Sequence, residues 1–229
     1  MNKYSIPLEE MVKRYKKLYA ALVYDVLELM GFPNQTLSLD IKPLTNSMVV
    51  AGLAYTFIGT RESEKETDEE RERTFEMMSG IYKNSVIVID SEKDNQCGHW
   101  GELLSTAAQA KGANGIVIDG GIRDGQLLLK MKNWPVFVRY TSPIESNGRW
   151  KLKACQVPIS ITGTTTNTVT VKPGDWVFGD MDAVLIIPIE IAEKVLIKAE
   201  EMDITEQKVR TDLGSGKTFK EVWRKYQRL

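Results

Sequence analysis

Histidine and cysteine are scarce in this chain, and their scarcity excludes several kinds of site. The 229 residues include one histidine, His99, and two cysteines, Cys97 and Cys155. Two cysteines make neither a disulfide framework nor a four-ligand zinc site. A single histidine all but excludes a metal centre with several imidazole ligands, and a Ser-His catalytic system away from His99.

The chain also lacks an excess of charge of either sign and a long apolar run. It carries 30 basic and 31 acidic residues, so the totals predict no basic face and no nucleic-acid partner. The first residues, MNKYSIPLEEMVKRYKK, lack the apolar centre of a signal peptide. No run of about 18 apolar residues predicts a membrane span. We therefore expect a soluble, cytoplasmic protein with no membrane partner.

Apolar residues recur with helical or strand periodicity in separate segments. Leu18, Leu22 and Val26 predict an amphipathic helix that Gly31-Phe32-Pro33 ends, and Asp25 on it either caps a loop or borders a pocket. This order of elements predicts a single α/β or α+β domain with helices packed around a mixed sheet. In chain order we predict a helix over 7–30, a strand pair or one long strand over 48–57, a strand over 85–90, a helix over 102–111, a strand over 116–119, a short helix over 126–132, a strand over 134–139, a loop over 141–150, half-exposed β structure over 157–171, a strand over 183–188, and helices over 189–212 and 218–227.

The stretch from Gly98 to Asp124, GHWGELLSTAAQAKGANGIVIDGGIRD, brings an acidic residue close to an Arg-Asp pair. The predicted helix carries the chain about 15 Å away, at about 1.5 Å per residue. The strand that follows returns the chain by a similar length. Glu102, Arg123 and Asp124 should therefore cluster beside the Gly120-Gly121 turn.

The glycine-bracketed start of this helix is a candidate anion site. Its free backbone N–H groups, from Gly101 through Glu102 and Leu103 to Leu104, attract a carboxylate or phosphate through hydrogen bonds and the helix dipole. The signal is weak alone, because most helix starts bind water or a cap. Glu102 taken alone is equally well a favourable first-turn acid.

Arg123 and Asp124 add complementary chemistry at the same place. Arg123 offers a planar fork for a carboxylate or a developing oxyanion. Asp124 offers a hard oxygen for Mg²⁺ or Mn²⁺, and Glu102 would hold waters of that ion. The simpler alternative is an ordinary surface pair of Arg123 and Asp124 after a turn.

An acid, twenty residues and then Arg-Asp is a pattern of the RraA-like family, and this chain resembles that family in Glu102, Arg123 and Asp124. The family includes the 4-hydroxy-4-methyl-2-oxoglutarate/4-carboxy-4-hydroxy-2-oxoadipate aldolases. The resemblance covers about residues 18–212 of a single domain, 1–229, and leaves a C-terminal helical extension over 213–229. Further segments that resemble the family are 21–31, 41–44, 50–54, 135–139 and 171–188.

The resemblance implies a fold and an assembly. The fold would be an αββα-type sandwich similar to swivelling phosphohistidine domains, with C-terminal helices. The protein would form homotrimers, often paired into hexamers, in which a glutamate from the neighbouring subunit's C-terminal helix reaches the site. Glu206 is the best match to that glutamate, although a solvated ion pair with Arg210 explains Glu206 equally well.

The resemblance also implies class II aldol chemistry on a 2-oxo acid, giving pyruvate, with oxaloacetate decarboxylation as a related activity. Mg²⁺ or Mn²⁺ would be held by Asp124 and would stabilise the enolate. Arg123 and the amides at the helix start would hold the carboxylate and the enolate. The catalytic residues implied are Arg123, Glu102 and Glu206.

The chain departs from the family pattern at two places. The aldolases usually have aspartate where this chain has Glu102, whose longer side chain moves the water it orders. The Arg-Gly that usually follows the strand over 134–139 is Arg139-Tyr140 here, with Glu145 nearby, and an acidic Glu145 would disfavour a highly anionic substrate.

A non-catalytic regulator that binds a ribonuclease or another protein is the alternative function. The imperfect motif and the mixed-charge run over 61–73, RESEKETDEERER, motivate it, although that run is by itself typical of a solvated helix or loop. Regulatory members of the family typically lose the first acid, so the acid retained at Glu102 favours an enzyme. His99 either contacts the pocket or has a structural or exposed role, and Cys97 is more simply a packing residue than a nucleophile.

Overall fold

Runs of Val and Ile in the sequence form the buried strands of one mixed sheet. A computed structural model of the chain describes residues 4–227; residues 1–3 and 228–229, which belong to the predicted domain and its C-terminal extension, lie outside the described residues. The helices are α1 (Leu8–Tyr15), α2 (Ala20–Leu29), α3 (Asp68–Ser79), α4 (Glu102–Ala110), α5 (Gly125–Leu128), α6 (Ala192–Gly214) and α7 (Phe219–Tyr226). The strands are β1 (Lys42–Pro43), β2 (Val50–Arg61), β3 (Ser85–Asp90), β4 (Ile116–Ile118), β5 (Gly121–Ile122), β6 (Val136–Val138), β7 (Tyr140–Thr141), β8 (Trp150–Cys155), β9 (Ile159–Thr162), β10 (Thr168–Val171), β11 (Trp176–Gly179) and β12 (Val184–Ile187).

The main sheet has the strand order β1-β6-β4-β3-β2-β11-β12, and β8 pairs with the end of β2. Strands β2, β3, β4 and β6 are parallel, whereas β1, β8, β11 and β12 run antiparallel to their neighbours. The pair β5–β7 lies beyond the ends of β4 and β6, and β9–β10 forms a hairpin. The carboxyl ends of the parallel strands therefore share one edge, where ligands of open α/β sheets usually bind.

Both faces of the sheet are covered, which explains why β3 is apolar along its length. Val86 and Val88 pack with the β9–β10 hairpin on one face. Ile87 and Ile89 point to the other face, into the cluster that contains Met77 and Met78 of α3. Alternate side chains of a strand point to opposite faces, so a strand covered on both sides reads as a continuous aliphatic run.

The predicted helix over 7–30 is wrong in its middle, because the chain leaves the helix between α1 and α2. Tyr19 is extended (φ −129°), and α2 begins at Ala20. The Ala20 amide donates a hydrogen bond of 2.7 Å to the carboxylate of Asp180, which follows β11. Tyr15 at the end of α1 donates to the Ala192 carbonyl at the start of α6. Asp180 and Ala192 thus provide hydrogen-bond acceptors for the Ala20 amide and the Tyr15 hydroxyl, which lie on either side of the break.

The segment over 48–57 forms part of one long strand, β2, so the structure selects one of the two predicted alternatives. The charged run over 61–73 is not a helix or loop throughout, since Arg61 belongs to β2. Helix α3 begins at Asp68, where Thr67 and Glu70 form a capping box.

The structure confirms a mixed α/β domain with helices at the C-terminal end. The αββα-type sandwich and the likeness to swivelling phosphohistidine domains stay predictions. Among residues 4–227, no helix is both long and apolar enough to cross a membrane.

Candidate active site

Two chain segments pass side by side at the carboxyl edge of the sheet. Gly98 pairs with Gly121 in an isolated parallel bridge, and the Arg123 amide donates to the Trp100 carbonyl at 2.9 Å. Side chains would not fit between these segments. A Cβ atom on Gly98 would lie 2.7 Å from the Arg123 nitrogen, and one on Gly101 would lie 2.5 Å from Asp124 Oδ2. The glycines therefore let one backbone approach the other.

A cavity of about 550 Å³ opens beside these segments and is named the site cavity here. Glu102, Arg123 and Asp124 all line it, so the structure brings them together as the helix and strand lengths predict. The other residues that line it are Gly98, His99, Trp100, Gly101, Leu103, Leu104, Leu127, Glu145 and Ser146.

Asp124 joins the two segments. Its backbone is left-handed (φ +61°), at the residue that precedes α5. Its Oδ2 accepts a hydrogen bond of 3.1 Å from the Glu102 amide, and its Oδ1 lies 3.5 Å from Arg123 Nε. The Asp124 side chain is 33% exposed, so its carboxylate is both anchored and open to the cavity.

Arg123 lies between two carboxylates without being held tightly by either. Its Nη1 is 3.7 Å from Glu145 Oε1, and its Nε is 3.5 Å from Asp124 Oδ1. A guanidinium group has five N–H donors, so these long contacts leave donors for a ligand. Glu145 does line the cavity, as the sequence leads us to expect.

Glu102 lies in the first turn of α4, and Thr106 donates a hydrogen bond of 2.7 Å to its Oε1. We expected the amides from Gly101 to Leu104 to be free, and this is wrong for Glu102, whose amide donates to Asp124. The amides of Leu103 and Leu104 lie in the first turn, where no earlier carbonyl of the helix accepts them. They are the better candidates for binding an anion.

His99 is largely buried, lines the site cavity and fixes the turn that precedes Arg123. Its Nδ1 accepts a hydrogen bond of 3.0 Å from the Gly121 amide, so its Nε2 donates to Asp94 Oδ2 at 3.0 Å. Burial lowers the pKa of His99, although Asp94 opposes the shift. The structure thus gives His99 both a contact with the pocket and a structural role, and it is not exposed.

Asp94, the hydrogen-bond partner of His99, was not predicted from the sequence. It also accepts from Arg61 Nε at 2.7 Å and lies 3.6 Å from Cys97 Sγ. Burial disfavours its charge, but bonds from the Gln96 amide, Arg61 and His99 lower its pKa below the usual value. The only sequence signal was its position shortly after a buried strand.

The thiol of Cys97 is not activated. Burial and the neighbouring Asp94 raise the pKa of Cys97 to about 12, so the neutral thiol packs rather than attacks. Ligand atoms of Asp94, Cys97 and His99 lie within 4.8 Å of one another. Their hydrogen bonds and the Arg61 guanidinium already satisfy this group. Asp124 and Glu102 line the site cavity, and their carboxylate oxygens are the type of ligand that Mg²⁺ prefers.

Glu206 does not line the site cavity within one chain. It accepts hydrogen bonds from Tyr19 and from Arg210 Nη2, the latter at 2.7 Å. With Asp25 it borders a separate cavity of about 330 Å³, so Asp25 does border a pocket. A role for Glu206 at the site of a neighbouring subunit stays a prediction.

Comparisons with known proteins find relatives over most of the chain. A sequence model of the family described as RraA-like (Aldolase/RraA) matches residues 20–186. A protein of Halalkalibacterium halodurans named "Putative 4-hydroxy-4-methyl-2-oxoglutarate aldolase" is 30% identical over 191 residues, covering 83% of this chain and 82% of that protein. Protein DlpA of Legionella pneumophila is 31% identical over 207 residues, which are 90% of this chain and 32% of that protein. The chain thus spans about one third of the length of that relative.

Solved structures share the fold. A chain described as "Crystal structure of novel cellulases from microbes associated with the gut ecosystem" superposes with a TM-score of 0.83 at 34% identity, covering 90% of this chain and 89% of that one. Streptomyces coelicolor RraAS2, described as an unusual member of the RNase ES inhibitor RraA protein family, superposes with a TM-score of 0.75 at 23% identity, covering 90% of this chain and 98% of that one. At that identity the second likeness shows the fold alone.

Proposed function

The chain belongs to the RraA-like (Aldolase/RraA) family, and from that premise we propose that it is a divalent-metal-dependent lyase acting on a 2-oxo acid. The reaction is aldol cleavage giving pyruvate, with oxaloacetate decarboxylation as a related activity. One observation carries the proposal: Glu102, Arg123, Asp124 and the first turn of α4 line a single cavity. The aldolase name of the Halalkalibacterium relative supports the same reaction class.

Arg123 and the helix start bind the substrate in this proposal. The guanidinium group takes the carboxylate and the developing enolate through paired N–H donors. The amides of Leu103 and Leu104 add donors at the positive end of the α4 dipole. The close backbone approach at Gly98 and Gly101 holds the amides of the helix start in place, so these donors need little reorganisation as charge develops.

Asp124 would hold the cation, and Glu102 would orient its waters. The fit is good because the Asp124 carboxylate is anchored through one oxygen while its side chain stays partly exposed to the cavity. When bound, Mg²⁺ or Mn²⁺ supplies Lewis-acid charge beside the oxygen atoms of the substrate. One or two protein carboxylates completed by water are typical of Mg²⁺.

The hydroxyl proton of an aldol substrate also needs an acceptor. Glu102 lines the cavity, whereas Glu206 would have to come from a neighbouring copy in a homotrimer or hexamer. We assign the second acid to Glu206 because it lies on α6, a long helix at the C-terminal end of the domain.

A pyruvate-release assay tests the function. Oxaloacetate and 4-hydroxy-4-methyl-2-oxoglutarate are supplied to the protein with Mg²⁺ or Mn²⁺, and again after EDTA. We expect turnover that EDTA abolishes, and a loss of about 10²–10³-fold in kcat/KM for Arg123→Ala. Arg224→Ala, which removes an exposed arginine on α7, is the matched control and should leave the rate unchanged.

Equal rates for Arg123→Ala and the wild type would refute the role of Arg123. The absence of metal-dependent turnover with both substrates would refute the lyase and favour the partner-binding regulator.

A further inference from the structure

A second cavity of about 540 Å³ continues the site cavity. The two form one cleft, because five residues line both: His99, Leu103, Leu104, Glu145 and Ser146. The first part, around Arg123 and Asp124, is called the polar sector. The second part, walled by Phe75, Leu103, Leu104, Trp150 and Leu152, is called the apolar sector.

The walls of the apolar sector are hydrophobic side chains from two helices and a strand. Phe75 on α3 is 53% exposed and Leu103 on α4 is 80% exposed, which is high for large apolar residues. Trp150 on β8 is buried and packs edge-on against the His99 ring, with ring centroids 4.8 Å apart. Ligand sites typically combine apolar walls with polar groups that fix orientation, and here the polar groups belong to residues such as Glu66, Thr74 and Asn147.

The charged residues around the apolar sector already have partners. Lys151 Nζ is 2.8 Å from Glu70 Oε2, and its side chain is 6% exposed. Arg71 lies 3.3 Å from Asp68 and 3.7 Å from Glu66. Among the described residues that line this sector, the two cations, Arg71 and Lys151, both have carboxylate partners, so a second carboxylate would meet more negative than positive charge.

Negative charge also limits the polar sector to one carboxylate. Arg123 is its single cation, against the carboxylates of Glu102, Asp124 and Glu145. Even with a divalent cation bound, that ion and Arg123 only balance these three carboxylates, so a ligand that brings one carboxylate is favoured over a ligand that brings two. The cleft as a whole therefore fits a ligand with one carboxylate at one end and a neutral, apolar group at the other.

We propose that the apolar sector selects 2-oxo acids that carry a single carboxylate and an alkyl or aryl group at C4. This inference rests on the lyase function proposed above and names its substrate class. For a 4-hydroxy-2-oxo acid, the C3–C4 bond breaks and its electron pair forms the enolate of pyruvate. The C4 hydroxyl loses its proton to a base, C4 becomes the carbonyl of an apolar aldehyde, and C3 takes up one proton. No oxidant or reductant is required.

Competing substrates test the inference. The protein is assayed with 4-hydroxy-2-oxo-4-phenylbutanoate, 4-hydroxy-4-methyl-2-oxoglutarate and oxaloacetate. We expect a kcat/KM at least about tenfold higher for the phenyl substrate than for the methyl dicarboxylate. Phe75→Ala should lower kcat/KM for the phenyl substrate about tenfold and leave oxaloacetate decarboxylation unchanged, because oxaloacetate is too short to fill the apolar sector. Phe75→Arg should move the preference toward the dicarboxylate.

Met181→Ala removes another exposed apolar side chain, far from the cleft residues in sequence, and serves as the matched control. A wild type that prefers the dicarboxylate would overturn the inference. So would a Phe75→Ala variant that changes all three substrates equally or none. If that variant also changed the oligomeric mass by light scattering, the exposed face of Phe75 would be a contact between copies of the chain.

A binding measurement distinguishes failure of this substrate preference from failure of the proposed lyase activity. Calorimetry with 2-oxo-4-phenylbutanoate and 2-oxoglutarate needs no turnover. Tighter binding of the phenyl compound, lost in Phe75→Ala, would support the apolar sector even if oxaloacetate and both aldol substrates were inert. Equal binding of the two compounds to the wild type would overturn it.

Discussion

The polar and apolar sectors of the cleft are built in different ways. The polar sector depends on backbone, because two segments pass so closely that Gly98 and Gly101 have no room for a Cβ atom. The apolar sector depends on side chains carried by α3, α4 and β8. A sector built from backbone tolerates little change, whereas a sector built from side chains can be altered while the reaction is kept. The following substitutions test this difference.

The largest effect is expected for Gly101→Ala. The new Cβ atom would lie 2.5 Å from Asp124 Oδ2, so Asp124 must move. A displacement of about 1 Å in a catalytic group costs about 10²-fold in rate, and we expect that loss in oxaloacetate decarboxylation. Gly214→Ala is the control, since a Cβ there meets nothing within 4 Å. Full activity in Gly101→Ala would show that the close approach is unnecessary.

Glu102→Gln should have the next largest effect. It removes a carboxylate that Thr106 orients, but it keeps the shape of the side chain and the helix. Residues that orient the waters or ligands of a metal typically contribute about 10–100-fold, so we expect a loss of that size in activity. Thermal unfolding should hardly change. A large drop in stability with unaltered kcat would assign Glu102 to the helix rather than to the reaction.

His99→Gln tests the support behind the polar sector. Gln can still donate to Asp94 but does not reproduce the acceptor for the Gly121 amide, and a buried unsatisfied donor costs about 1–3 kcal/mol. Urea unfolding at neutral pH measures this loss.

The same variant also has a pH signature. Because burial lowers the pKa of His99, the unfolded chain binds a proton at higher pH than the folded one. Stability should therefore fall as pH drops below about 6.5, the usual histidine value, toward the folded pKa. Asp94, whose pKa is lowered, adds a loss only at more acidic pH. His99 is the only histidine, so His99→Gln should remove the first of these two losses. An unchanged pH dependence from 7.5 to 5.5 would contradict the assignment.

The smallest effect is expected for Glu70→Gln, which loosens α3 against β8. The hydrogen bond from Lys151 and the bond from the Thr67 amide lower the pKa of Glu70 to about 2. Its contribution is thus present at neutral pH and is lost as pH falls through about 2. Glu70 is partly exposed and Gln keeps an oxygen that can accept from Lys151, so the Tm should fall by at most about 3 °C. The preference for the phenyl substrate should fall together with the Tm, while the rate of oxaloacetate decarboxylation should not fall.

The polar sector could be predicted from the sequence because its geometry is local. One helix and one strand of similar length bring Glu102 and Arg123 together, and the glycines between them are visible in the sequence. Its support could not be predicted, since Asp94 acts through three-dimensional contacts with His99 and Arg61.

The elements that were mispredicted depend on distant residues. Where the predicted helix over 7–30 is interrupted, the Ala20 amide donates to Asp180, and local periodicity contains no sign of that distant partner. The charged run over 61–73 was interpreted as solvated, but the part of α3 that follows it has an apolar side. There Met77 and Met78 pack into the core, and Phe75 faces the cleft. Those three residues follow the charges in the sequence and were the available signal.

The hydrogen bond between the Glu102 amide and Asp124 Oδ2 can report which oxygen of Asp124 a cation binds. A cation that takes Oδ2 competes with this amide, so the Glu102 hydrogen should then exchange faster with solvent deuterium. A cation that takes Oδ1 leaves the bond in place and should slow exchange by ordering the carboxylate. One resolved amide signal in a nitrogen-15 spectrum would thus tell which oxygen binds the metal, with no substrate present.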